Sequence, residues 1–332
     1  MLSVRPGVEA PPVPRRGQIE TNLLRSATFH PCGHAAPSPD PFTARTLLGM
    51  DSMVASRQLS ISDMAVLAAI CQHLPKEGDP LARTSLYELA QDVYGQVGGK
   101  QADLIFESLR RLAEITLRMP GFDATSKTMV RSVSGVSMAN LVGAIWVDSR
   151  DLRVLTKGEL GALNHRRPVR VEISAWLARQ LRAGHATWLD LELLRALGPG
   201  LAGRLWAFIE GERLPGQDLM GNRTGALGLG APAIATLGLA KYQRRADVNR
   251  KLREAAERIV RLDPAWASVE MAGRAGSWQL RYARRDLPPA KLAELRRGEA
   301  WRRADERSER REVRVVIRES LRSATDPPQP SE

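Results

Sequence analysis

The densest chemistry in the chain lies at residues 241–261. This stretch holds Lys241, Arg244, Arg245, Arg250, Lys251, Arg253, Arg258 and Arg261 against Asp247, Glu254 and Glu257, a surplus of five positive charges. At ~100° per residue Val248, Leu252, Ala255 and Ile259 share one face, which predicts an amphipathic helix seated on a core by that stripe. The opposite face carries Gln243, Ala246, Asp247, Arg250 and Glu254, with Arg244, Arg245 and Lys251 nearer the edges. A helix of this shape suits a duplex major groove, where Gln243 and Arg250 meet base edges and the edge cations hold phosphates. The bland alternative is a solvated amphipathic helix with surplus arginine. The order of elements favours the groove: a short helix at 232–237, a stop at Gly238, the basic helix, then a hairpin at 267–271 and 278–282 with Arg274 at its Gly-rich tip. That order is a helix-turn-helix followed by a wing.

Other candidate chemistries fail on spacing. The run 94–101 has Tyr94 where a phosphate-binding loop needs its first glycine, and Gln101 where it needs the Ser or Thr that holds Mg²⁺. The glycines at 228 and 230 lack the third glycine and the preceding strand of a dinucleotide site. Cys32/His34 and Cys71/His73 are two Cys-x-His pairs whose spacing does not fit zinc. DNA nicking would need a His-hydrophobe-His metal site beside a nucleophilic tyrosine, and a tyrosine recombinase would need His-x-x-Arg; His165-Arg166-Arg167 supplies neither. These absences predict a protein without catalysis, cofactor or metal.

The elements that position the basic helix follow from the wider pattern. The chain has 332 residues, 49 Lys+Arg against 37 Asp+Glu, a net charge of +12, and a pI near 10.4. That balance points to a polyanionic partner, nucleic acid above all. Of the basic residues 42 are Arg and 7 Lys, a ratio that GC-rich coding also favours, although coding bias does not explain where the charges sit. Two cysteines exclude a disulfide scaffold. Prolines at 6, 11, 12 and 14 break any signal-peptide core, and the longest uncharged stretch, 224–240, is short and Gly-rich, so no membrane segment and a cytoplasmic location are expected. Residues 1–44 hold eight of the 21 prolines and read as a flexible arm, while 286–332 read as a charged helical extension with a loose tail.

Between them one arrangement recurs, three helices and then a β-hairpin, giving an α+β, mainly α fold. In the first copy the spacing predicts helices at 62–74, from Ser85 with a Ser85/Glu88 capping box, and at 100–114, then strands at 115–119, 128–136 and 141–147. In the second it predicts helices at 174–182, 191–197 and 201–212, a Gly-rich connection at 221–230, then the short helix, basic helix and hairpin.

Several runs resemble the iteron-binding plasmid replication initiators, the Rep family. Val171-Glu172-Ile173-Ser174 followed by the helix around Arg204-Leu205-Trp206 resembles the family's strand and "Arg-Leu-Tyr" helix, with Trp206 where Tyr is usual. Residues 242–259 resemble its recognition helix and 273–282 its wing; Ser85-Leu-Tyr-Glu-Leu89-Ala90 through Leu112 and Ile115-Thr-Leu117 match the first winged helix more loosely. The resemblance covers about 60–285. It implies two tandem winged helix-turn-helix domains with β-hairpin wings, 45–170 for dimerisation and DNA contact and 171–285 for the main readout. It adds Asn249 to the DNA-contacting set, and Lys100, Gln101, Arg110 and Arg111 from the first domain. It further implies double-stranded origin repeats as ligand, an operator inverted repeat bound as a dimer, and the host initiator and replicative helicase as partners. The loop at 221–230 and the extension after 285 depart from the family's pattern. A winged-helix transcriptional regulator is the alternative; an origin-nicking endonuclease is a more distant one.

Overall fold

The structure is a computed structural model. It describes residues 16–32, 42–44, 53–75, 79–118, 121–123, 128–130, 138–147, 150–151, 166, 168–184, 186–211, 224–240, 242, 244–273, 278–285, 287, 291, 294–296 and 298. Contacts divide the chain into one unit at Pro14–Asp286 and another made of Met1–Val13 with Leu287–Glu332. The few described residues of the latter include a Lys291–Glu294 ion pair at 3.0 Å.

The larger unit is α+β. It begins β1 (Arg16–Glu20), α1 (Thr21–Arg25), β2 (Phe29–His30), β3 (Phe42–Ala44), β4 (Met53–Ala55) and β5 (Leu59–Ser60). Next come α2 (Ile61–Gln72), β6 (Leu81–Ser85), α3 (Leu86–Tyr94), α4 (Gly99–Glu114), β7 (Thr116–Arg118), β8 (Gly121–Asp123), β9 (Thr128–Val130) and β10 (Met138–Asn140). Then follow β11 (Val142–Val147), β12 (Arg150–Asp151), β13 (Pro168–Ile173), α5 (Ala175–Arg182), β14 (Ala186–Asp190), α6 (Leu191–Leu197) and α7 (Leu201–Gly211). The unit ends with β15 (Thr224–Gly228), α8 (Ala231–Thr236), α9 (Arg245–Leu262), β16 (Trp266–Ala272) and β17 (Gln279–Arg284).

Local chemistry accounts for the helix starts. Ser60 caps α2 and closes a capping box with Asp63, whose carboxylate accepts from the Ser60 N–H at 2.7 Å. Ser85 accepts from the Glu88 N–H at 3.1 Å, and the Glu88 carboxylate accepts from the hydroxyls of Thr84 and Ser85. Ser174 and Asp190 cap α5 and α6 in the same way. α2 is buried on nearly every side, from Ile61 through Cys71, so it forms the centre of the first half rather than one amphipathic wall.

A repeat is present, with bounds other than the sequence suggested: α5 and α6, expected in the second copy, fall outside it. With β7–β10 and β12 set aside, the order α2, β6, α3, α4, β11, β13 is matched by α7, β15, α8, α9, β16, β17. In each copy the sheet runs first strand, third strand, second strand, all antiparallel: β6-β13-β11 and β15-β17-β16. Four differences from the sequence reading follow. The Gly-rich connection at 221–230 contains β15, which pairs Thr224–Gly228 along β17; its glycines hid the strand. The strand directly after α4, β7, pairs with β4 and β10 instead of joining the first hairpin. That hairpin is β11–β13, so Val171–Ile173, assigned to the second domain, belongs to the sheet of the first copy. Residues 131–136 of an expected strand lie outside the described set.

The fourth difference is at the N-terminus. Within the stretch read as a flexible arm, Ile19, Leu23, Leu24, Ala27 and Phe29 are fully buried. β1 pairs antiparallel with β14, and β2 pairs in parallel with β5. Composition misled here because five apolar side chains at the right positions suffice to seat a short segment, however many prolines flank it.

Candidate nucleic-acid interface

The basic helix, α9, starts at Arg245, four residues later than the sequence reading placed it. Its N-cap, Arg244, makes no side-chain capping bond. Val248, Leu252, Ala255 and Ile259 are buried as expected, packed on α7 and β16. The outward side presents Arg244, Arg245, Ala246, Arg250, Arg253, Glu254, Glu257, Arg258 and Arg261, all exposed. No described part of the chain blankets this side.

The cations divide by what they touch. Arg245 donates to the Leu229 carbonyl at 2.9 Å and Arg258 to the Ala196 carbonyl at 2.8 Å, so both brace the helix against neighbouring backbone. Arg250 reaches Glu254 at 3.1 Å and Asp247 at 3.5 Å, and Lys251 reaches Glu254 at 3.1 Å. The Lys251 hydrogen bond, with Arg250 beside it, holds the Glu254 carboxyl below its ordinary range. Arg244, Arg253 and Arg261 meet no carboxylate among the described residues. A phosphate backbone could recruit these three without breaking any pair, while Arg250 and Lys251 would exchange exposed carboxylates for the nucleic acid.

Not every site residue expected from the sequence falls on this face. Asn249 is only 8% exposed and turns inward beside Ala256, so its role as a DNA contact is corrected to a place in the core margin. The helix buries a wider stripe than four aliphatics imply, since Asn249 and Ala256 join it. Lys241, Gln243 and Arg274 lie outside the described residues.

In the first copy, α4 is the counterpart of α9. Lys100 stands exposed near its start and Gln101 is half-buried. Arg110 is exposed and pairs with Glu114 at 3.0 Å. Arg111 is committed elsewhere: it grips the fully buried Asp63 at 2.8 Å and Ser108 at 3.1 Å, and thereby braces the α2 cap. Its assignment to DNA is corrected to this structural role. Over its length α4 carries Lys100, Arg110 and Arg111 against Asp103, Glu107 and Glu114, no net charge, whereas α9 carries six cations against three carboxylates. The shared topology thus holds one helix without net charge and one with a positive surplus.

Contacts the sequence did not foretell hold α9 in place. Trp206 on α7 donates its indole N–H at 2.9 Å to Asp263, which terminates α9 and also accepts from the Ala265 N–H at 3.0 Å. Arg284 on β17 pairs with Glu210 at 2.5 Å and lies 4.5 Å over the Trp266 ring, which meets Tyr282 edge-on at 5.9 Å. Helix end, hairpin base and α7 are thereby one packed block. Only the apolar spacing of α7 was readable beforehand; nothing in the sequence separates these buried polar side chains from surface ones.

Among the described residues no three His, Cys, Asp or Glu side chains gather as a metal site would require, and no helix is long and apolar enough to cross a membrane.

No protein-family model matches the chain, and no curated protein matches it. Solved structures that resemble it include two of RctB. One, a crystal structure of selenomethionine derivatives of domain 2 and domain 3 of RctB, has 10% identity and a TM-score of 0.48, covering 81% of this chain and 99% of that one. The other, a crystal structure of RctB domains 2-3, has 13% identity and a TM-score of 0.46, covering 83% and 99%. At this level neither likeness bears on function.

Proposed function

We propose that the protein is a plasmid replication initiator that binds double-stranded origin repeats sequence-specifically. In this reading both copies of the repeat are winged helix-turn-helix units, α9 is the reading helix of the second, and the β16–β17 hairpin is its wing. The observation that carries it is the outward face of α9: a cationic helix of 18 residues, seated by its apolar stripe and open along its polar side. Arg250 reads a base edge, and Arg244, Lys251 and Arg253 hold phosphates. The first copy supplies Lys100 and Arg110 as accessory contacts, and serves dimerisation on an operator inverted repeat.

The protein acts through binding energy and without catalysis. Copies load on an array of direct repeats, strain the duplex, and present a surface to the host initiator and the replicative helicase in the cytoplasm. The test has two arms. Selection from a random duplex pool should enrich one motif. Supplied in trans, the protein should then maintain a plasmid whose origin carries that motif in tandem. Enrichment without plasmid maintenance would assign the protein to transcriptional regulation; failure to enrich any motif would overturn sequence-specific binding.

A further inference from the structure

The N-terminal segment touches both copies of the repeat. Gly17 lies so close to α2 that a Cβ there would sit 2.7 Å from the Ala68 Cβ, and β2 pairs beside the α2 cap through β5. The same segment runs along β14, where Thr21 and Thr187 share a hydrogen bond at 3.0 Å, and α1 packs on α7. At its far end Pro31 lies against Gly238, the residue in left-handed conformation (φ +69°) just past α8; a Cβ on Gly238 would meet the proline ring at 2.5 Å. Ser26 and Thr28 bond each other at 2.6 Å inside this path, both fully buried.

One side chain ties these parts together. Arg204 on α7 is fully buried. Its guanidinium donates to the Leu24 carbonyl at 2.8 Å, the Ser26 carbonyl at 2.5 Å and the Thr236 carbonyl at 3.0 Å. The first two lie at the end of α1; the third is the last residue of α8, the helix that precedes α9. A planar fork reaches three carbonyls on two separate segments from two terminal nitrogens, whereas an ammonium would have to serve them all from one. No carboxylate pairs with it among the described residues; its acceptors are backbone carbonyls at two helix ends, where a cation is favoured. Burial pushes the guanidinium down to about 9, so it remains a cation at neutral pH.

We propose that residues 16–32 form a strap that fixes the orientation of α8 and α9 relative to α7, with Arg204 as the positioning residue that latches it. The strap needs no nucleic-acid contact of its own for this role. Its effect on binding rests on α9 being the reading helix; its effect on α8 does not.

The full-length chain tests both parts. Hydrogen exchange would be followed in wild type, Arg204→Met, Arg204→Lys and Gly238→Ala, alongside affinity for the duplex that wild type enriches. In Arg204→Met, exchange at 231–240 should accelerate roughly tenfold or more, the size implied by losing a charge-assisted hydrogen bond, while 86–112 stays at wild-type rates. Affinity should fall by at least a similar factor, and Arg204→Lys should restore part of both. Gly238→Ala should reproduce the local acceleration from the other side of the contact. If Arg204→Met does not fold, the Lys and Gly238 variants decide. Unchanged exchange at 231–240 in the folded variants overturns the latch. Faster exchange with unchanged affinity and base preference overturns its role in positioning. A wild-type chain that enriches no duplex overturns DNA reading, and the exchange data still decide the strap.

Discussion

Replacing Arg250 by alanine isolates base reading from folding. Its side chain is 58% exposed, and its partners Asp247 and Glu254 are 43% and 51% exposed. Ion pairs this open contribute ~0–1 kcal/mol, so Arg250→Ala should leave the melting temperature close to wild type. On DNA the account differs. A guanidinium on a guanine edge is worth ~1–3 kcal/mol of discrimination, less the small cost of leaving the exposed Glu254 carboxylate. Its loss corresponds to at most about 5- to 150-fold weaker binding. Glu254→Gln supplies the opposite sign: it releases Arg250 and Lys251 and removes a negative charge from the face, so affinity should rise while base preference stays. Fluorescence anisotropy on the enriched duplex measures the affinities, and repeating the selection with each variant reads the preferences. Arg250→Ala with wild-type affinity and an unchanged preferred motif would refute the assignment of this face. A large fall in melting temperature would refute the claim that the ion pairs are dispensable.

Three further outcomes are expected. Lys251→Ala should weaken binding evenly across sequences and reduce the slope of log affinity against log salt by about 1, measured by titration at several salt concentrations. Arg111→Ala should lower stability by about 3 kcal/mol in denaturant titration, because it strands the buried Asp63 carboxylate, yet leave duplex affinity of the folded protein unchanged. Burial pushes the Cys71 thiol from 9.0 up to about 12, so native protein at pH 9 should react with a thiol reagent at Cys32 alone and at both cysteines once unfolded. Because the folded value lies above the unfolded one, the stability linked to Cys71 is complete below about pH 9 and falls as pH rises toward 12.

The features legible in the sequence are those set by neighbours in the chain. Ser85 with Glu88 fixed the start of α3, Gly238 the stop after α8, and the 3.6-residue spacing of Val248, Leu252, Ala255 and Ile259 the seating of α9. The features missed depend on partners far away in sequence. β15 is recognisable only through its pairing with β17, some fifty residues on, since Gly-rich strands carry no alternation. Arg111 and Arg110 are adjacent and chemically identical, yet one grips Asp63, 48 residues back, and the other lies on the surface beside Glu114. Arg204 sits in an apolar helix, and only its three carbonyl acceptors, up to 180 residues away, give its burial a reason.

The contrast between α4 and α9 carries the same lesson into function. Topology makes both the third helix in a repeated order of helix, strand, helix, helix, strand, strand, and topology alone would assign them one role. Their surfaces separate them. α4 spends one of its three cations on a buried carboxylate and offsets the rest with acids. α9 keeps a surplus of three charges and commits two arginines to backbone carbonyls rather than to carboxylates, so those braces leave its positive potential intact. A duplex approaching the protein therefore meets a strong field at α9 and little at α4. If the first copy contributes to DNA binding, its contribution must come from isolated cations such as Lys100 and Arg110. Charge reversal at Lys100 should accordingly change affinity far less than charge reversal at Arg253.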